Sequence, residues 1–346
     1  MHETHPRPAR TARGLRRHAA CLLALAGCAR ATADGAPFVV ADADGARTLA
    51  GCPSLPPDSA FNVPVTALPA HAESVERIGW LSENAGGDLL AGACSYVWEG
   101  SRCGLPITAA GAGVEPRLVR FAGPYVWGND HFSIPEEYRI EGEPNPAGAW
   151  DRHVLVVDAE RCELHELINV RASALGLYAD GAAKWDLFST GYAVESWAGA
   201  EAAGLPMVPL IYSYEEVAAG VIPHALRVVL PVSAAGFLWP ANHTDGASDD
   251  PRALPMGAWL RLRADTDLSG LGPQATVIAT ALQTYGAIVA DTTVAAWHLS
   301  GTPDTRWDDA DLETLGTLTP SDFEWLDVTA RAGDGGSLAA ADAAAR

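Results

Sequence analysis

His153-Val154-Leu155-Val156-Val157-Asp158 is followed, after three residues, by Cys162-Glu163-Leu164-His165-Glu166-Leu167-Ile168-Asn169-Val170. Both runs are strand-length and rich in aliphatic residues, and side chains alternate between the two faces of a strand. In the second run Leu164, Glu166 and Ile168 share one face, while Glu163, His165, Leu167 and Asn169 share the other. Glu166 thus lies on the more apolar face, where a carboxylate loses hydration and its pKa rises. In the first run His153 shares its face with Leu155 and Val157.

The same pattern continues outward. Strand-like runs occupy 117–121, 184–188, 224–230, 236–239, 258–263 and 287–291, separated by clusters of Gly, Pro, Asn and Asp. In 224–230, His224 shares a face with Leu226, Val228 and Leu230. Helices are fewer. The clearest covers 273–285: Pro273 suits a first helical position, Val277, Ile278, Ala281, Leu282 and Tyr285 form one apolar face, and Gly286 stops it. A second covers 308–315, with acidic residues over its first turn, and a short third fits within 194–204. Many short strands and few helices predict a mainly β protein, a β-sandwich or jelly-roll-like body with a few decorating α-helices. One β-rich domain is expected over 61–330, after a flexible tether at 29–60 and before a disordered tail at 331–346.

The first 28 residues predict export. Arg7, Arg10, Arg13, Arg16 and Arg17 precede a short apolar run from Ala19 to Ala26, the layout of a secretory signal peptide. The run ends in Leu25-Ala26-Gly27-Cys28, which resembles the bacterial lipobox. Acylation of Cys28 would tether a mature lipoprotein to a membrane facing the periplasm or the cell exterior. Four cysteines remain: Cys52, Cys94, Cys103 and Cys162. An even number in an exported chain predicts disulfides. Cys94–Cys103 is the favoured pair, leaving Cys52 with Cys162, although four cysteines allow three connectivities.

Charge narrows the partners. The chain carries a net charge of −20, and removing residues 1–28 takes away five arginines and Glu3, leaving −24. Such a surface repels nucleic acid and polyanions and suits a neutral or cationic polysaccharide. The chain has no Gly-x-Ser-x-Gly elbow, phosphate loop or dinucleotide fingerprint. Glu166, His224 and His153, on inward faces, are therefore the leading candidates for acid–base work, with Glu166 as proton donor and Asp186, Asp245 or Asp291 as its partner carboxylate. Trp197, Trp239 and Arg152 are candidate substrate-binding residues, the tryptophans through stacking on sugar rings. No cofactor or metal is required. The loop from Trp239 to Gly246, with Asp249 and Asp250, offers oxygen ligands that leave calcium as an option.

From Asp151 to about Asp327 the chain resembles a family of exported, largely uncharacterised bacterial proteins. The residues that carry the resemblance include Asp151-Arg152-His153, Trp185-Asp186-Leu187, Trp239-Pro240-Ala241 and, above all, the Gly-x-Ile-x-His-Ala-Leu core set by Gly220, Ile222 and His224. Glu201 stands where that pattern tends to have aspartate, and His165 where it tends to have an aromatic residue. The resemblance implies export and supplies no reaction. Two functions from different classes follow: a glycan-active enzyme, either glycoside hydrolase or lyase, or a non-catalytic glycan-binding or cell-envelope lipoprotein.

Overall fold

The computed structural model describes residues 38–41, 46–98, 100–122, 127–146, 151–190 and 199–332. The signal segment with Cys28, the start of the tether, Trp197 and the tail from 333 lie outside the described residues.

The protein is mainly β. Val39–Ala41 (β1), Arg47–Leu49 (β2) and Cys52–Pro53 (β3) form a three-stranded sheet before helix Ser74–Asn84 (α1). A hairpin of Val97–Trp98 (β4) and Ser101–Arg102 (β5) leads to Ile107–Ala110 (β6), Arg117–Ala122 (β7) and Trp127–Phe132 (β8). Next come Val154–Asp158 (β9), Glu163–Ile168 (β10), Arg171–Ser173 (β11), Gly176–Ala179 (β12) and Gly181–Asp186 (β13). Two four-stranded sheets result, in the orders β13-β10-β9-β6 and β11-β12-β7-β8.

The run from His153 to Val170 lies in a middle layer. Val154 and Val156 of β9 join Val119, Phe121, Phe132 and Leu177 in one apolar cluster, while Leu155 and Val157 face the larger core on the other side. Burial on both faces explains the unbroken aliphatic run, as in any strand without a wet side. At roughly 1.5–3 kcal/mol per buried aliphatic side chain, these four residues are a major local contribution to stability.

The second half adds helix Tyr214–Ala219 (α2), Leu226–Leu230 (β14), Trp259–Leu262 (β15), Pro273–Thr284 (α3) and Ala287–Thr292 (β16). His298–Leu299 (β17), helix Asp309–Leu312 (α4), Phe323–Trp325 (β18) and helix Thr329–Ala332 (α5) complete the described elements. Their five strands form one mixed sheet, ordered β17-β14-β16-β15-β18, with β14 and β16 parallel. Disulfides join Cys52 to Cys162 and Cys94 to Cys103. Among the described residues, no helix is long and apolar enough to cross a membrane.

Three sequence expectations need correction. The tether ends earlier than 60, because Arg47 is buried with its guanidinium on Ser54, Val208, Pro209, Ile211 and Glu216, pinning β2 to the body. The chain stays ordered past 330, since Arg331 donates to the carbonyls of Ala60 and Val63. The run 236–239 forms only an isolated bridge, Phe237 to Met256. Pro240 follows it at once and has no N–H to extend a ladder.

Candidate acid–base site

One irregularity builds the site. Along β14 and β16, Arg227 pairs with Ile288 and Val228 with Val289, but Val229 pairs with Asp291, so Ala290 is an extra residue. In-register neighbours share a face, and side chains alternate along each strand. Without the bulge Asp291 would share the face of Val289 and point away from Arg227. The bulge turns it back. Bulges recurrently re-aim one side chain in this way.

Arg227 then gathers the cluster. Its Nε donates to Glu201 Oε2 at 2.7 Å and Nη2 to Glu201 Oε1 at 3.1 Å, a bidentate pair. Nη2 also donates to Asp291 Oδ2 at 2.5 Å, and Nη1 to Ser300 Oγ at 2.8 Å. The Glu201 side chain is 1% exposed, whereas that of Asp291 is 21% exposed. Burial pushes Glu201 up to about 7 against the pull of Arg227. Burial also raises Asp291, opposed by Arg227 and helped by the nearby charge of Asp245. Arg227 itself is raised by Glu201 and Asp291, against burial, and stays a cation.

The segment carrying Glu201 is stitched down on both sides. The Ala203 N–H donates to the carbonyl of the bulge residue Ala290 at 2.9 Å. On the other side His153 Nε2 lies 3.0 Å from the Ala200 carbonyl, and His153 Nδ1 lies 2.7 Å from Glu141 Oε2. Both partners are acceptors, so each ring nitrogen donates and the imidazole is cationic. Burial opposes that charge, but Glu141 prevails and holds His153 up to about 9. His153 therefore positions the Glu201 loop and has no free nitrogen for a proton transfer.

Of the other expected residues, Asp245 reaches the same end of the molecule. It is exposed, and its Oδ2 accepts from Thr292 Oγ1 at 2.7 Å, next to Asp291. Asp186 does not join the cluster. It is exposed, and its Oδ1 accepts the Phe188 N–H in a turn.

Glu166 and His224 are wholly enclosed, and their hydrogen bonds go to different partners. Glu166 Oε1 accepts the N–H groups of Met207 and Val208 at 2.8 and 2.9 Å, and Oε2 accepts Trp185 Nε1 at 2.9 Å. Burial still pushes it up to about 7. With both oxygens occupied and no exposure, it anchors the 207–208 turn to β10 and cannot serve as the substrate's proton donor. His224 belongs to a second buried unit. Its Nε2 lies 2.9 Å from Glu216 Oε1, which also takes Arg47 Nε at 2.9 Å.

The Gly-x-Ile-x-His motif is a helix end. Ser213 and Glu216 form a capping box that starts α2, and Gly220 ends it at φ +78°, a left-handed position that suits glycine. Ile222 then enters the core, and His224 turns back onto Glu216. Burial raises the Glu216 carboxyl, but Arg47 and His224 overcome it and hold it at about 2.

Trp239 lines a cleft of about 350 Å³ with Asp58, Ala60, Val63, Thr190 and Arg331, and no member of the acid–base cluster borders it. Arg152 precedes β9 at φ +51°, and its Nε is buried without a hydrogen-bond partner. In the loop considered for calcium, Asp250 is instead engaged by Arg252 and by Trp80 Nε1. Among the described residues, no group of three or more His, Cys, Asp or Glu is placed to hold a metal ion.

Sequence reasoning missed Glu141, the role of Glu201, and His298. Glu141 sits in a loop without periodicity. Alternation across Trp297-His298-Leu299-Ser300 could have flagged His298 and Ser300 on one polar face. A scan against known protein families, a search of curated proteins and a search of solved structures each find no match to this chain.

Proposed function

We propose that this chain is an exported lipoprotein, acylated at Cys28, whose folded domain cleaves a neutral or cationic glycan at the Arg227–Asp291 cluster. The observation that carries the reading is the unequal pair of carboxylates on one guanidinium. Glu201 is enclosed and fixes Arg227, while Asp291 reaches the surface with its pKa raised by burial. A carboxyl whose pKa is raised by burial and which is partly open is what glycosidic leaving-group protonation needs. The two disulfides are compatible with an oxidising compartment. The apolar cluster shared by the two four-stranded sheets supports a sandwich-like body.

In this reading Asp291 donates the proton, Arg227 orients it, and Glu201, His153 and Glu141 hold the frame. Asp245, at the rim, contacts the substrate. A panel of polysaccharides assayed for new reducing ends tests the proposal. Release from a neutral or amino-bearing polymer is expected, and an inert protein across the panel overturns it.

The Trp239 cleft favours a second reading, glycan binding without turnover. Its Trp239 wall suits a sugar held by stacking, and no member of the Arg227 cluster borders it. Binding to an immobilised polysaccharide that is lost in Trp239→Ala, with no reducing ends formed, would favour that alternative.

A further inference from the structure

The cleft beside Trp239 is held open from behind. Asp58, Ala60, Val63, Thr190, Trp239 and Arg331 border about 350 Å³. That lies within the usual range of small-molecule sites, roughly 300–1,000 Å³. The loop carrying Ala60 and Val63 is anchored three times. Asn62 Nδ2 donates to the carbonyls of Ser54 and Pro56 at 3.1 and 3.0 Å. The Ala225 N–H donates to the Phe61 carbonyl at 2.8 Å, and the Val65 N–H to the Thr284 carbonyl at 2.7 Å. Trp239 is set by its neighbour Leu238, whose N–H donates to the Met256 carbonyl at 2.8 Å. Gly257, at φ +81°, lets these segments meet, since a Cβ there would stand 1.9 Å from the Leu238 carbonyl oxygen.

The polar groups on the rim remain available. Asp58 and Thr190 are exposed, and among the described residues neither side chain has a hydrogen-bond or ion-pair partner. The half-buried Trp239 likewise keeps its indole N–H free. Arg331 has five N–H donors. Three go to the carbonyls of Ala60, Val63 and Pro64, which leaves two. Among the described residues no carboxylate neutralises it.

These groups define the ligand by elimination. A carboxylate only accepts hydrogen bonds and a guanidinium only donates them. A ligand ammonium would suit Asp58 but meet Arg331 as a like charge, and a ligand carboxylate would suit Arg331 but meet Asp58. A free amino acid matches both charges yet leaves the Thr190 hydroxyl and the indole N–H unused. Hydroxyls donate and accept, so a neutral polyhydroxyl ring serves every group on the rim. Its C–H face is what Trp239 stacks on. We propose that the Trp239 cleft binds a neutral sugar unit and selects it over amino and uronic sugars, with Asp58 accepting from its hydroxyls and Arg331 donating to them. The inference rests on the glycan reading and narrows its neutral or cationic ligand to a neutral one. It holds with or without turnover at Asp291.

The test is calorimetric titration of the full chain with short oligosaccharides of glucose, galactose, mannose and N-acetylglucosamine. The tightest neutral binder is then compared with its amino and uronic counterparts and with free glycine and phenylalanine. The comparison is made at about pH 6, where amines are largely protonated and carboxyls ionised. The charged counterparts and the amino acids should bind at least about 10-fold more weakly, the scale of one mismatched charge-assisted hydrogen bond. Trp239→Ala should weaken the neutral sugar by a similar factor. Asp58→Asn, on the exposed rim, should weaken it too and bring the uronic counterpart closer to it in affinity. A charged counterpart or an amino acid that binds as tightly as the neutral sugar overturns the inference, and so does undiminished binding by Trp239→Ala. Should Trp239→Ala fail to fold, unchanged affinity and selectivity in Asp58→Asn overturns it. In each of these cases glycan cleavage at Asp291 still stands on its own assay. Binding to no neutral oligosaccharide also overturns the inference, and the glycan reading falls with it only where reducing-end release is absent as well.

Discussion

Asp291 Oδ2 lies 2.5 Å from Arg227 Nη2 because Ala290 is inserted into β16, placing both side chains on one face of the five-stranded sheet. The inserted residue also offers its carbonyl to Ala203, so one bulge positions both Asp291 and the loop carrying Glu201.

Arg227 is therefore expected to be critical to the fold as well as the site. Replacing it by Met leaves Glu201 enclosed without its cation. Loss of one partner of a buried ion pair costs about 3–5 kcal/mol. Urea unfolding should show this, and Arg227→Met with Glu201→Gln should recover part of the loss. A single substitution that leaves the midpoint unchanged contradicts the buried pairing.

His153 should give stability a pH dependence on the alkaline side. Its pKa is about 9 in the folded state and about 6.5 when unfolded. The folded state thus binds the proton more tightly, and its contribution is complete below pH 6.5 and is lost as pH rises through 9. At 1.36 kcal/mol per unit the loss is about 3 kcal/mol. Glu166 and Glu201, both raised to about 7, act mostly below that window. Unfolding measured from pH 7 to 9 should show the decline in the wild type and a flat response in Glu141→Gln. A flat wild-type response would falsify the imidazolium assignment.

Glu166→Gln should destabilise by roughly 1–3 kcal/mol, the cost of disturbing a buried polar group. A carboxamide has one acceptor oxygen, so the N–H donors of Met207 and Val208 or that of Trp185 would face an NH2 group. Thermal unfolding measures this, and turnover per folded molecule should be unchanged. Loss of turnover without loss of stability would return Glu166 to the chemistry.

The two disulfides should differ in weight. Cys52–Cys162 spans 110 residues and Cys94–Cys103 spans 9. Chain-entropy reasoning assigns about 4.7 kcal/mol to a loop of about 100 residues and about 3 to one of about 15. A Cys52→Ala, Cys162→Ala variant should therefore melt below a Cys94→Ala, Cys103→Ala variant, and the reverse order contradicts this. Both proteins can be compared in one calorimetric series.

What the sequence revealed follows from which signals are local. The phase of β9 and β10 placed Glu166 and His153 inward because alternation needs only neighbouring residues. Pro273 and Gly286 marked α3 for the same reason. The capping box of Ser213 and Glu216 is equally local, and it marks the helix that explains His224. The bulge at Ala290 was not legible. It depends on how β16 registers against β14, some sixty residues away, so simple alternation puts Asp291 on the wrong face. Glu141 and Glu201 come from loops that only tertiary packing brings to His153 and Arg227.

The central claim is that Asp291, open at the rim and held by Arg227, supplies the proton for glycan cleavage. The most direct measurement is reducing-end release by wild type and by Asp291→Asn on the responsive polysaccharide, with Asp265→Asn on the exposed surface as a control. The account predicts that Asp291→Asn folds, binds the polymer and loses at least about 100-fold in kcat, the scale of a missing general acid. Asp265→Asn should match the wild type. Turnover by Asp291→Asn at the wild-type rate would contradict the account.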